Sequence, residues 1–355
     1  MIVALGLAAP LFAQSAADQD WQRLLSKAQS PPGLTKRDGK QRAPAERATP
    51  SAPERAAPSA SVLAADRQAQ KRHLLEVAAL ADDFQRQNPG RPEAKAARQI
   101  EAKGRLGAAL LDEGAEDARL DGLARAARTD ASLPPEARFE VAQLSEMLRN
   151  KKHPPKDRAA WLEDKKTTAR ALIAEFPAVP AAHGLLLQAA RLSEGPKAAE
   201  LAREIMLSSA PAAIKAQAAI IVERQALVGK KLSEITRGVL GAKAVLAPAE
   251  GKPIVLYTWR PDSDATIDLA KEVSKQAPRG AVVIGINVSS RDGGIPPGKL
   301  AGTQLYGGRG GDSPLARRLQ LVEPGLVYAV DATGVIRSVE AHRDLAAQLS
   351  ALGGK

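Results

Sequence analysis

Residues 251–270 read G-K-P-I-V-L-Y-T-W-R-P-D-S-D-A-T-I-D-L-A. The run Ile254-Val255-Leu256-Tyr257 is unbroken and apolar, the composition of a strand covered on both faces of a sheet. Trp259, Arg260 and Pro261 then lead into Asp262-Ser263-Asp264, three residues of helix-capping type. Beyond them Ile267, Ala270, Val273 and Ala277 recur at helical spacing. The segment predicts a strand, a tight loop and a helix.

The same alternation continues on the C-terminal side. Ala281 to Val288 is a second apolar strand, and a right-handed crossover sets it parallel to the first. Ser313 and Pro314 are a cap and a first-turn residue for a helix through Leu319. Leu326–Val330, the turn Asp331-Ala332-Thr333-Gly334 and Val335–Val339 predict an antiparallel hairpin. A last helix is expected over Ala341–Leu352, and a short hairpin over Gly238–Pro248. The glycine-rich stretch from Gly307 to Asp312 matches neither phosphate-binding spacing, and Asp312 opposes an anion; it reads as a flexible loop.

The order of these elements, and residues 254–266 in particular, resemble thioredoxin-like proteins, above all the exported TlpA/ResA type and the related AhpC/TSA redoxins. There the strand ends in W-x-x-W-C-x-x-C, with the first cysteine at the helix N-terminus. Laying Trp259 on the first tryptophan puts Asp262 on the second, and Ser263 and Thr266 on the two cysteines. Leu321-Val322-Glu323-Pro324 falls where the family carries a cis-proline. The resemblance implies a three-layer α/β/α thioredoxin-like domain over 228–355. It also implies a groove for extended polypeptide near Pro324, lined by Arg260 with Trp259 and Tyr257; a packed strand end is the other reading of Trp259.

Thiol–disulfide exchange needs a thiolate and a second sulfur to close the disulfide. The chain has no cysteine, so Ser263 and Thr266 leave it without catalytic residues of that kind. The reading that follows is a non-catalytic binding or scaffold protein. Two others stay open: an assisting redox role in which a partner supplies both thiols, and a helical adapter. For Asp262, Ser263 and Asp264 themselves, helix capping is the simplest role.

Upstream, Met1 to Ala17 is uncharged and largely apolar, the length of a signal peptide with a cut after Ala13. It points to export into the periplasm or cell envelope. Residues 18–60 are expected to be a linker, most clearly from Ser30, where proline, alanine, serine and charge leave little to bury. From 61 to 227 only helices are expected. Leu74, Val77, Ala81 and Phe84 form one buried stripe, and proline-led starts follow at Pro134, Pro154, Pro196 and Pro211. Pro89, Pro92 and Ala94 after Phe84 echo Pro177, Pro180 and Ala182 after Phe176. That echo suggests stacked helix pairs, a TPR-like repeat domain, with an irregular helical bundle as the alternative. The fold class is thus all-α followed by α/β.

A net charge of +11 invites a nucleic-acid partner, but 3% aromatic content and mixed-sign helices argue against one. Weak contact with anionic envelope surfaces, and an envelope protein or peptide as partner, fit better. His73, His153, His183 and His342 have no ligand spacing and read as surface or helix-end residues. No metal or cofactor is expected.

Overall fold

The computed structural model describes residues 15–30, 60–112, 118–239, 249–289, 300, 302–306 and 313–353. The expected signal peptide (up to residue 14), the Pro-rich stretch 31–59, most of the hairpin at 238–248 and the glycine-rich residues 307–312 lie outside them. The chain forms two compact units, Met1–Ala182 and His183–Lys355.

In the first unit, α1 (Ala16–Gln29) precedes α2 (Ala60–Gln87), α3 (Glu93–Leu111), α4 (Ala118–Thr129), α5 (Pro135–Lys152) and α6 (Arg158–Glu175). Helix α1 corrects the expectation of a linker from residue 18. Ser15 and Asp18 close a capping box at its start, and Leu24 is buried in a cluster with Val77, Phe84 and Ala97. Trp21 stacks obliquely on Phe84 at 5.3 Å. The apolar positions of this helix were too few and too widely set to stand out beside the proline-rich stretch that follows.

Helices α2 and α3 run antiparallel, since Lys71 meets Asp112 at one end and Arg105 meets Asp82 towards the other. They approach closely because the seam is built of small residues: Ala78, Ala81, Ala97 and Gly104. A Cβ at Gly104 would lie 2.8 Å from the Leu74 carbonyl oxygen and 3.0 Å from the Ala78 Cβ. The carboxylate of Glu101 is enclosed in this pair and accepts from Arg105 at 2.9 Å and Gln85 at 3.0 Å, which satisfies a buried charge. The expected stripe is present: Val77, Ala81 and Phe84 are buried, and so is Phe176, whose ring meets Phe139 edge-on.

The second unit begins with α7 (Pro180–Leu192), α8 (Gly195–Leu207) and α9 (Ala212–Gln225). The division therefore falls at 182/183, where the sequence suggested 227/228. A short α10 (Leu232–Ile235) leads to β1 (Ile254–Trp259), α11 (Asp264–Gln276), β2 (Val282–Asn287), β3 (Thr303–Tyr306), α12 (Pro314–Arg318), β4 (Val327–Val330), β5 (Ile336–Ser338) and α13 (Leu345–Ser350). The sheet order is β3-β2-β1-β4-β5, with β1 central. Strands β1, β2 and β3 are parallel, while β4 runs antiparallel to β1 and β5 to β4.

All six residues of β1 are buried, as its composition predicts. Val255, Tyr257 and Trp259 face α11 and α13; Ile254 and Leu256 face Leu232 of α10 and Ala316 of α12. Helices thus cover both faces. The strand β3 was not visible in the sequence, because T-Q-L-Y is too short and too polar to register a period. The final helix breaks into a 3₁₀ turn at Ala341–Arg343, the helix α13 and a second 3₁₀ turn at Ala351–Gly353.

Gly104→Val should lower the stability of the first unit by about 1–3 kcal/mol, the usual penalty of overpacking. Gly90→Ala, where an added Cβ meets nothing within 4 Å, should change it by less than about 0.5 kcal/mol. Thermal unfolding followed by circular dichroism compares the two; equal losses would mean that the α2–α3 seam is not as tight as described.

Candidate functional site

The loop between β1 and α11 is fixed from within. Thr266 is buried, and its hydroxyl accepts from the Arg260 amide at 3.1 Å and approaches the Ser263 carbonyl at 3.0 Å. One side chain on the first turn of the helix therefore closes the loop that precedes it. Arg260 is half-exposed but pairs with Asp262 through two contacts of 2.9 and 2.5 Å. Ser263 holds the N-cap position without a capping hydrogen bond from its side chain, which corrects the expected capping role. Asp262 is engaged with Arg260.

Trp259 does not line a groove. Its side chain, like that of Tyr257, is fully buried on the α11 face of the sheet, because odd positions of β1 point that way. Its indole N–H and the side-chain amide nitrogen of Asn287, its register partner on β2, are buried without an acceptor among the described residues. Of the groove residues suggested by the sequence, Pro324 is exposed and Arg260 partly so; the aromatic wall is absent.

The peptide bonds among the described residues are all trans, that of Glu323–Pro324 included. The Pro324 loop is nevertheless held against the end of β1. The Thr258 hydroxyl donates to the Glu323 carbonyl at 2.7 Å and accepts from the Leu326 amide at 2.8 Å, and the Gly325 amide donates to the Thr258 carbonyl at 3.0 Å. The Glu323 side chain turns to the helices. Arg224 of α9 reaches one carboxylate oxygen at 3.0 Å and Arg191 of α7 the other at 3.1 Å. Arg224 is buried, with only 7% of its side chain exposed, and its Nε also donates to the Gln320 carbonyl at 3.3 Å. Gln320 has φ 53° and ends α12, with the Leu321 amide returning to the Ala316 carbonyl in the manner of a Schellman turn. Nearby, burial pushes the Tyr328 hydroxyl up, and it donates to the Leu319 carbonyl at 2.5 Å.

A second junction joins the α7–α8 turn to the segment after β5. Arg343 donates to the Leu192 carbonyl at 3.0 Å and to the Arg191 carbonyl, while Glu340 accepts from the Gly195 amide at 3.2 Å. The cation thus meets the C-terminus of α7 and the carboxylate the N-terminus of α8, the favourable sign at each helix end. The two residues pair with each other at 3.1 Å. His342 between them is driven down to about 4, first by burial and then by the charges of Arg343 and Arg224. Beside this junction lies a cleft of about 640 Å³ walled by α8, the end of α9, β5 and the start of α13.

The structure brings Ser263, Thr266 and Arg260 into one loop, and a Cβ added at Gly325, next to Pro324, would lie 3.8 Å from the Thr266 methyl. What the sequence did not reveal are the side-chain junctions of Arg191, Arg224, Glu323, Glu340 and Arg343, which reach 96 to 152 residues along the chain apart from the Glu340–Arg343 pair. No local signal marks such pairs. Two histidines also depart from the expected surface placement: His183 is buried and His342 largely so. Among the described residues, no group of three or more His, Cys, Asp or Glu is placed to hold a metal ion, and no helix is long and apolar enough to cross a membrane. No protein-family model, curated protein or solved structure matches the chain.

Two measurements test this geometry. Glu323→Ala leaves Arg224 buried without its counter-charge and should cost about 2–3 kcal/mol, less than a fully enclosed pair because Glu323 is partly exposed; denaturant unfolding reads it. His342 is neutral in the fold, so the unfolded chain takes up its proton first. Stability is therefore intact above about 6.5 and falls as pH drops towards 4, by on the order of 3 kcal/mol. His342→Leu should flatten that slope; an unchanged slope would place the pH dependence elsewhere.

Proposed function

We propose that this is an exported, thioredoxin-like protein of the cell envelope that works by binding and not by thiol chemistry, preceded by a TPR-like helical-repeat segment. The observation that carries the reading is the pair Ser263 and Thr266. They occupy the two positions at which the resembling family has cysteines, and Thr266 is buried and committed to holding the loop through the Arg260 amide. A hydroxyl at either position is not appreciably ionised at neutral pH and closes no disulfide.

The arrangement around the pair supports the family resemblance. A central parallel strand feeds the loop, a helix starts at Asp264, and an antiparallel strand returns beside it after Pro324. Gly325, next to Pro324, lies on the Thr266 side of the loop, since a Cβ added there would come within 3.8 Å of the Thr266 methyl. With Trp259 buried and Arg260 tied to Asp262, binding at this loop would rest on exposed Pro324 and on main-chain groups. The expected partner is a protein or peptide of the envelope, with the positive net charge favouring anionic surfaces nearby.

The variant carrying Ser263→Cys and Thr266→Cys together tests the reading. The expected result is that it loses both free thiols on mild oxidation and, when re-reduced, cleaves a test peptide disulfide that the parent chain leaves intact. A variant that folds but keeps both thiols free under the same oxidation would mean that the loop lacks thioredoxin-like geometry.

A further inference from the structure

The cleft between α8 and β5 has the volume of a small-molecule site and belongs entirely to the second unit. Its apolar lining is Ala199, Ala226, Val228 and Val339. Val228 is 42% exposed, which leaves apolar surface open to solvent at the cleft.

The charges in its wall are unequal in what they leave over. Glu340 is taken up by the Gly195 amide and Arg343, and Asp344 accepts from the Ala347 amide at the start of α13. Glu194 is engaged as well. Arg343 holds the end of α7, and Arg337 pairs with Asp331 at 2.6 Å. Of the three arginines in the wall, Arg203 alone has no ion pair with a described residue, and it is exposed. Two donors of wall residues, the Gln225 amide nitrogen and Arg343 Nε, are buried without an acceptor. The cleft therefore has one unpaired cation beside apolar lining, and two of its lining residues carry an enclosed donor without an acceptor.

We infer that this cleft binds a carboxylate with a short apolar body, such as the C-terminal residue of a peptide. Arg203 meets the carboxylate, the apolar lining receives the side chain, and a small turn of the Gln225 amide gives its nitrogen an acceptor. A buried donor left without a partner raises the energy of the empty site, and a ligand oxygen relieves it. The inference deepens the binding reading but does not depend on the Ser263–Thr266 loop, so an inert double-cysteine variant and an empty cleft are separate failures.

The test uses the full chain and fluorescence anisotropy with a dansylated Ala-Ala-Leu tripeptide as free acid and as C-terminal amide. The acid should bind at least about tenfold more tightly than the amide, the worth of one charge-assisted hydrogen bond. Arg203→Gln should remove that difference while leaving the thermal midpoint unchanged, and Val228→Glu, which sets a carboxylate in that lining, should abolish binding of the acid. Octanoate as competitor separates the sources: displacement assigns the site to free aliphatic carboxylates as well, and no displacement assigns it to peptide C-termini. Equal binding of acid and amide, no binding of either, or an acid affinity indifferent to Arg203→Gln would overturn the inference.

Discussion

The second unit depends on one carboxylate. Glu323 meets two guanidinium groups, Arg191 from α7 and Arg224 from α9, and Arg224 is buried deeply enough that its charge would be costly to enclose without a counter-charge. The carboxylate is in the right place only because the main chain around it is fixed. Thr258, near the end of the central strand, holds the Glu323 carbonyl and the Leu326 amide with one hydroxyl. Strand, loop and helices are thus joined through residues 258, 323 and 224. That chain of contacts is the physical reason α7 to α9 belong with the sheet.

The Glu340–Arg343 pair repeats the logic a short distance away, with each member facing the helix end of opposite sign. These two junctions bring the helices onto the sheet at separate points, and the cleft is the space left beside the second. The loop from Arg260 to Thr266 is different in kind. Its polar groups are satisfied by one another: Arg260 by Asp262, the Arg260 amide by Thr266. Such a loop is held by contacts within itself. Of the buried donors left without an acceptor, those of Gln225 and Arg343 belong to residues that line the cleft, while those of Trp259 and Asn287 lie at the sheet.

How much of this was legible in the sequence follows from the range of the interactions. The strand at 254–259, the helix after it, the Ser313 cap, which accepts from the Ala316 amide at 3.2 Å, and the hairpin at 327–338 are local patterns, and each is present. The side of β1 to which Trp259 points was also implicit in its alternation with Val255 and Tyr257, yet the family motif drew it towards a groove. The α1 helix was masked by the composition of the stretch that follows it. Glu323, Arg224 and Arg343 gave no sign, because a salt bridge across 99 residues or a capped helix 151 residues away leaves no period or spacing to read.

The measurement that tests this account most directly is native-state hydrogen exchange of the full chain, read by mass spectrometry peptide by peptide. If α7 to α9 are bound into the sheet unit through Glu323 and Arg343, the amides of α8 and α9 should open with the same free energy as those of β1 and β4, and should differ from those of α2 to α5. Exchange of α8 and α9 in step with α2 to α5, and independent of the sheet, would contradict it.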